Sequence, residues 1–273
     1  MKKSPDRWMD EYVKAKRSMH HAIFQTSQVR DLTVIELSVD FSLVVAVDSD
    51  GGIGPKPNDL VCVSGYEAGR FGARVPLMEI LACGAVPIAA FDSLAVEMEP
   101  WGREIIRGVR DELNSIGLSK DFPLSGSTED NVPTSETGMG VVVLGVVRKS
   151  DFRPGSSMNC DEVFAIGIPK SGPEDVIDLK DHDIADSACL SRMLQVTCAH
   201  DILPVGSKGI IYEAEELART AGLVFSPHQI EKINHKKSAG PSTCFLVSAS
   251  PGAETLLALA GQKPVRMIGR LSA

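Results

Sequence analysis

The stretch FSLVVAVDSDGGIGPKPND, residues 41–59, runs from apolar residues into three acids, three glycines, two prolines and one lysine. The β-branched series predicts a strand over 42–48, and the glycines that follow predict a turn at its end. Two readings of that turn stay open. One is a solvated connection made of good turn formers. The other is the floor of a phosphate site, in which Asp48, Asp50 and Asp59 offer hard oxygens to Mg2+. In that reading the backbone N–H groups of Gly51, Gly52 and Gly54 turn toward an anion and Lys56 meets it as a point charge. The pattern is not a GxxxxGK[ST] phosphate loop, because no Ser or Thr follows the lysine.

Upstream, Ser4-Pro5-Asp6 is a helix start, and Trp8, Met9, Tyr12, Ala15, Met19 and Ile23 recur at helical spacing, predicting a helix to about residue 25 that packs through one apolar stripe. A strand follows at 32–39. Downstream, 65–84 is helix-compatible but carries Gly65, Gly69 and Gly72, which implies close approach of another backbone or a ligand. Strand 85–98, amphipathic helix 101–117 and strand 137–149 complete a first unit. The polar, turn-rich segment 150–162 marks a boundary, giving domains over 1–150 and 151–273. Beyond it we expect strands at 163–169, 242–249 and 264–270 and helices at 184–198, 208–222 and 253–261. Alternation of this kind makes an α/β or α+β first domain with a mixed sheet, followed by a second compact α/β unit.

Composition narrows the function. The 273 residues are 43% hydrophobic and 23% charged, as in ordinary folded proteins. A net charge of −8 argues against nucleic-acid and membrane partners. Six cysteines without a CxxC pair read as thiols of a reducing cytoplasm, and no apolar run suggests a signal peptide or a membrane span.

Other residues bear on chemistry. The segment SGSTEDN, 125–131, places Thr128, Glu129 and Asp130 at a strand end, either as a plain loop or as further metal ligands. Glu79 sits in the apolar VPLMEILACGAVP, where an acid is costly without a partner or metal. His200 and Asp201 precede Gly206-Ser207-Lys208, in which Ser207 is placed to cap a helix whose N-terminus suits an anion or a substrate hydroxyl. His20 and His21 on the first helix are more ordinary surface or core residues than ligands, and HKKS, 235–238, is a solvated loop or a phosphate-facing flap. There is no GxSxG elbow and no strand–GxGxxG–helix pattern, which leaves phosphoryl transfer as the best chemical reading.

These stretches together resemble the ATP-binding superfamily of aminoimidazole ribonucleotide synthetase, selenophosphate synthetase, thiamine-monophosphate kinase and the hydrogenase-maturation dehydratase. DGGIGPK, 50–56, is similar to the aspartate- and glycine-rich loop of the synthetase, ending in lysine. FGARVPLMEILACGAVPIAA, 71–90, is similar to the segment in which an Asp precedes an Ala-Met-Gly-Ala-x-Pro run, with Glu79 at the Asp position and Cys83 at the Met position. PLSGSTEDNVP, 123–133, resembles the GG(D/E)T segment, and PVRMIGRL, 264–271, the closing Ile-Gly strand. The chain departs from the family in QVRDLTVIEL, which lacks the early Gly-Asp-Asp motif, in SGST, whose acids are displaced to Glu129 and Asp130, and in ILPVGSKG after Asp201.

The resemblance implies a homodimer that pairs its N-terminal sheets, with ATP and Mg2+ bound by the N-terminal domain. It assigns Mg2+ to Asp48, Asp50, Glu79 and Asp130, and the nucleotide phosphates to Lys56, Gly51, Gly52, Gly54 and Thr128. Asp201 and Lys208 are expected to face a small-molecule hydroxyl acceptor. The DGGIGP and CGA segments are similar to the α-ribazole kinase branch, which phosphorylates a ribosyl hydroxyl. Alternatives are another activity of the superfamily, as thiamine-monophosphate kinase or ATP-dependent cyclase or synthetase, and a non-catalytic nucleotide-binding regulator.

Overall fold

The computed structural model describes residues 5–18, 23–228, 230, 234–253 and 258–273. Helix α1, Pro5–Ser18, is followed by strands β1, Thr26–Val29, β2, Leu32–Glu36, β3, Phe41–Gly51, β4, Ile53–Gly54, and β5, Val61–Cys62. Helix α2, Gly65–Ala82, β6, Val86–Leu94, helix α3, Arg103–Asn114, β7, Leu124–Thr128, and β8, Gly138–Arg148, complete the first half. The second half holds β9, Glu162–Gly167, α4, Ser187–Met193, β10, Ala199–Pro204, α5, Ile210–Thr220, β11, Val224–Pro227, β12, Cys244–Ala249, and β13, Val265–Ser272. Two sheets result, ordered β1-β2-β3-β8-β6-β7 and β10-β12-β9-β13-β11, and β4 pairs with β5 alone.

The alternation along β3 decides which residues reach the interior. Val44, Ala46, Asp48 and Asp50 lie on one face, turned toward α2, while Leu43, Val45 and Val47 lie on the other. Register extends this across the sheet: Ala46 stands beside Val143 and Ala90, and Asp48 beside Val141 and Asp92. On the outer face Val47, Val142 and Phe91 form one row, and Leu43, Val146 and Val86 another. That outer face leaves Val47 63% and Val86 66% exposed.

Helix α2 starts on a capping box, with Glu67 N–H donating to Ser64 Oγ and Ser64 N–H donating to Glu67 Oε2. Its glycines do what their spacing suggested. A Cβ on Gly69 would stand 2.0 Å from Ile105 O, and one on Gly108 of α3 would stand 2.1 Å from Tyr66 O, so the two helices cross backbone to backbone. On its other sides α2 meets β3, β8, β10 and α4, which makes it the element shared by both halves. The largest apolar core is correspondingly continuous from Val44, Leu77 and Val143 to Ile166, Leu190 and Phe245.

A buried ionic cluster reinforces that junction. Glu112, fully buried, accepts from Arg70 Nε at 2.8 Å, Arg74 Nε at 3.3 Å and Ser187 Oγ at 2.7 Å. Arg74 also donates to Ala185 O at 3.2 Å, so the second half is held to α2 and α3 by charge as well as by packing.

Several expectations change in detail. Two members of the α1 stripe stand out of any core: Met9 is 64% and Tyr12 50% exposed. Strand β3 runs three residues further than expected and takes Ser49, Asp50 and Gly51 into the ladder with β8, opposite Gly140, Met139 and Gly138. The segment expected to continue as helix to 198 ends at Met193, and residues 199–204 form β10. His20, His21 and residues 254–257 of the expected last helix lie outside the described residues.

Gly69→Ala is expected to drive a methyl group into the Ile105 carbonyl and to lower stability by about 2 kcal/mol or more, read as a fall in the urea midpoint.

Candidate active site

A cleft of about 610 Å3 opens between the two halves. Its floor comes from β3, with Asp48 and Asp50, and from α2, with Phe71, Val75 and Glu79. Val61 and Val63 flank it, and the segment from Ser171 to Ile177 faces them. Pro204, Gly206, Ser207, Glu213 and Pro241 close the far side. The Ser171–Ile177 wall is tied to the 235–238 loop, because Lys237 Nζ lies 2.6 Å from Asp175 and 3.7 Å from Glu174.

Six carboxylates line this space, Asp31, Asp48, Asp50, Glu79, Asp175 and Glu213, and among the described residues no lysine or arginine lines it. Of the six, among the described residues, Asp175 alone makes an ion pair, with Lys237 behind the wall. Burial pushes Glu79 up to about 8, with the Asp31 charge adding to the rise and Arg30 opposing it. Burial raises Glu213 to about 7, again helped by Asp31. Asp48 rises to about 6 through burial and then through the charge of Asp50, and burial raises Asp50 as well. Gly72 lies close under this corner: a Cβ there would stand 2.6 Å from Met139 Cε and 3.1 Å from Asp50 Oδ2.

Such a donor set suits Mg2+ in kind, being hard oxygens whose charge is uncompensated. It is not a finished coordination shell, since no three His, Cys, Asp or Glu side chains among the described residues are gathered as ligands. Phosphate oxygens and water complete such a shell in nucleotide sites.

The remaining residues of interest find other partners. Lys56 is buried; its Nζ pairs with Glu97 and donates to Thr134 O at 2.9 Å, so it does not reach the cleft. Asp59 accepts from Lys56 N–H, Thr137 N–H and Thr137 Oγ1, each at 2.7 Å, and organises the loop rather than a metal. Gly52 N–H donates to Thr137 O at 2.8 Å, and Gly54 passes Thr137 so closely that a Cβ would stand 2.4 Å from its hydroxyl. Gly51 and Gly52 border a second cavity of about 560 Å3 with residues 133–138.

Asp130 is exposed, accepts from Met98 N–H at 2.9 Å and Thr128 Oγ1 at 2.7 Å, and is held below the usual carboxylate range by those bonds in that order. Asp130 and Thr128 stand outside the cleft. Asp201 is wholly buried and engaged by Arg30, whose Nη1 lies 3.1 Å and Nη2 2.5 Å from its oxygens. Lys208 is exposed and donates to Tyr212 OH at 2.9 Å. Ser207 does not cap α5, whose N-cap is Gly209, but lines the cleft. His200 Nδ1 rests 2.8 Å from Asp161.

Three cleft acids escaped the sequence reading. Asp175 lies in the irregular segment between β9 and α4, where no periodic pattern marks it, and Asp31 sits in the turn between β1 and β2, at a strand end like Asp48. Glu213 shares a helical stripe with Ile210, Ala214 and Leu217, all buried, and that i, i+3, i+4, i+7 pattern was the available signal.

Residues 30–147 match the family described as AIR synthase related protein, N-terminal domain. No curated protein sequence matches the chain. Its structure is similar to T. maritima PurL complexed with ADP, at 19% identity and a TM-score of 0.64 over 91% of this chain. The match covers only 43% of the PurL chain, so this protein spans less than half of its length. It is also similar to AaThiL complexed with AMPPCP and TMP, at 14% identity and a TM-score of 0.62 over 96% of this chain and 89% of that one. Thiamine-monophosphate kinase from Stenotrophomonas maltophilia matches at 15% identity and a TM-score of 0.59, over 100% of this chain and 95% of that one. The match to the family lies within the first half of the chain, and the whole chain has the mixed α/β fold it shares with PurL and ThiL.

Glu79 keeps its proton in the fold from its ordinary value of 4.5 up to about 8, so folding binds a proton across that window and stability declines as pH rises through it. Glu79→Gln is expected to make the decline of the urea midpoint shallower over the same window, measured without divalent cations.

Proposed function

We propose that the protein is an ATP- and Mg2+-dependent kinase that transfers the γ-phosphoryl group to a small-molecule hydroxyl, and that the acceptor is the ribosyl 5'-hydroxyl of α-ribazole. The observation that carries this is the carboxylate cleft, without a lysine or arginine in its lining among the described residues, beside the segment that matches the AIR synthase-related N-terminal domain. Negative phosphates enter such a space only with cations between them and the carboxylates. Solved neighbours holding ADP or AMPPCP support a nucleotide as the source of those phosphates.

Mg2+, when bound, neutralises phosphate charge and orients the transferring group. Asp48 and Asp50 are the residues to hold it, from a strand that fixes their spacing, and Asp31 and Glu79 are placed to join them. Glu79 gives up a proton when a cation takes its place. The rest of the wall is apolar, from Val61, Phe71, Pro173 and Ile177, and suits the aromatic base of an uncharged nucleoside. A carboxylate or phosphate on the acceptor would find no cationic side chain in the lining, which disfavours thiamine monophosphate as the acceptor.

A second reading is a nucleotide-binding protein without transfer. It is favoured by Lys56 and Asp201, both locked in ion pairs away from the cleft. We further propose that the exposed row of Val47, Val142 and Phe91 pairs with its copy in a homodimer, within the cytoplasm. No helix among the described residues is long and apolar enough to cross a membrane.

Purified protein with Mg-ATP and α-ribazole is expected to form the riboside 5'-phosphate, and Asp50→Asn is expected to lower turnover at least about a hundredfold while leaving the melting temperature near that of the parent. Nucleotide binding without a phosphorylated product would replace the kinase by the second reading. Val47→Lys is expected to shift the sedimentation of the protein from dimer to monomer.

A further inference from the structure

The turn between β1 and β2 carries two adjacent charges that serve opposite sides. Arg30 adopts a φ of 55°, a left-handed conformation uncommon for a residue with a side chain and held only where its surroundings demand it. Its side chain is 4% exposed and crosses to the second half of the protein. There its guanidinium forks onto Asp201, and Nε donates to Thr220 Oγ1 at 3.2 Å. Asp201 also accepts from Gly155 N–H at 3.0 Å, and its own N–H donates to Ser248 Oγ at 3.2 Å. The pair is therefore anchored in β10, α5 and β12 at once.

The next residue, Asp31, turns into the cleft. Its charge acts on Asp48, Glu79 and Glu213, which come from β3, α2 and α5. Asp31 thus faces acids contributed by three different elements across the cleft. Arg30 is the cation whose field reaches Glu79, and its pairing with Asp201 removes its guanidinium from the lining of the cleft.

We propose that Arg30 is a positioning residue: its fork onto Asp201 fixes the turn that presents Asp31 to divalent cations in the cleft, and keeps the guanidinium from neutralising the carboxylates itself. This rests on the phosphotransfer reading above. Asp201, which sequence placed opposite the acceptor, acts instead through Arg30.

Removing one partner would strand a buried charge, so the informative variant replaces both, Arg30→Met with Asp201→Leu. Mn2+ binding to the full chain in the presence of AMPPCP, followed by electron paramagnetic resonance, is expected to weaken on the order of tenfold. Asp31→Asn is expected to weaken it to a similar degree, and the three substitutions together no further, because the clamp and Asp31 act as one unit. Amide exchange at residues 29–32 is expected to quicken in the paired variant. Arg30→Lys, which keeps the charge without the fork, is expected to lose affinity in the same direction and serves if the paired variant does not fold. Unchanged Mn2+ affinity in the paired variant, or effects that simply add with Asp31→Asn, would overturn the role of Arg30 and leave the kinase reading standing. A parent protein that binds no Mn2+ would overturn both.

Discussion

Six carboxylates face one cleft, and the five that no cation pairs among the described residues repel each other and lose hydration together. The protein meets this cost with protons, held on Glu79, Glu213 and Asp48 to unusually high pH. Much of the surrounding architecture serves to sustain it. Glycine at 72 leaves space for Asp50, β3 and β8 hold Asp48 and Asp50 two residues apart on one face, and the basic residues nearby are engaged elsewhere. Lys56 answers Glu97 and Arg30 answers Asp201, while Lys237 answers Asp175 on the cleft wall and leaves the other five acids unpaired among the described residues. A structural surface would gain stability by letting Lys56 or Arg30 turn inward, and a site that exchanges protons for metal would not.

Helix α2 is what brings the acids of the first half against the second. Its crossing with α3 at Gly69 and Gly108 is close enough to bring Glu112 within reach of Arg70 and Arg74, and those arginines engage residues of the second half or its neighbours. With α2 so placed, Glu79 stands between β3 and α5, where neither sheet alone would gather it with Asp48 and Glu213. The glycine-rich loop after β3 contributes less to the cleft than its composition suggests. Asp59, Thr137 and Lys56 knot it to the segment before β8, so its backbone donors are largely engaged.

The parts legible in the sequence were those set by local pattern. Continuous β-branched runs marked β3 and β8, and the odd presence of Glu79 in an apolar helix or Asp48 at a strand end marked them as costly without a purpose. The glycines of α2 announced a close approach that proved to be α3. What could not be read was partnership across long separations. Lys56 finds Glu97, 41 residues away, and Arg30 finds Asp201, 171 residues away, and both choices depend on how the sheets stack. The stripe on α1 shows the converse limit, since an amphipathic pattern states that a face is apolar without stating what covers it.

The central claim is that phosphate reaches this cleft only through divalent cations held by its carboxylates. A crystal structure of the protein with AMPPCP and Mg2+ tests it most directly. The account predicts metal density between the phosphates and Asp48 and Asp50, with Asp31 within reach. Phosphates bound away from the cleft, or held there by protein cations without metal, would contradict it.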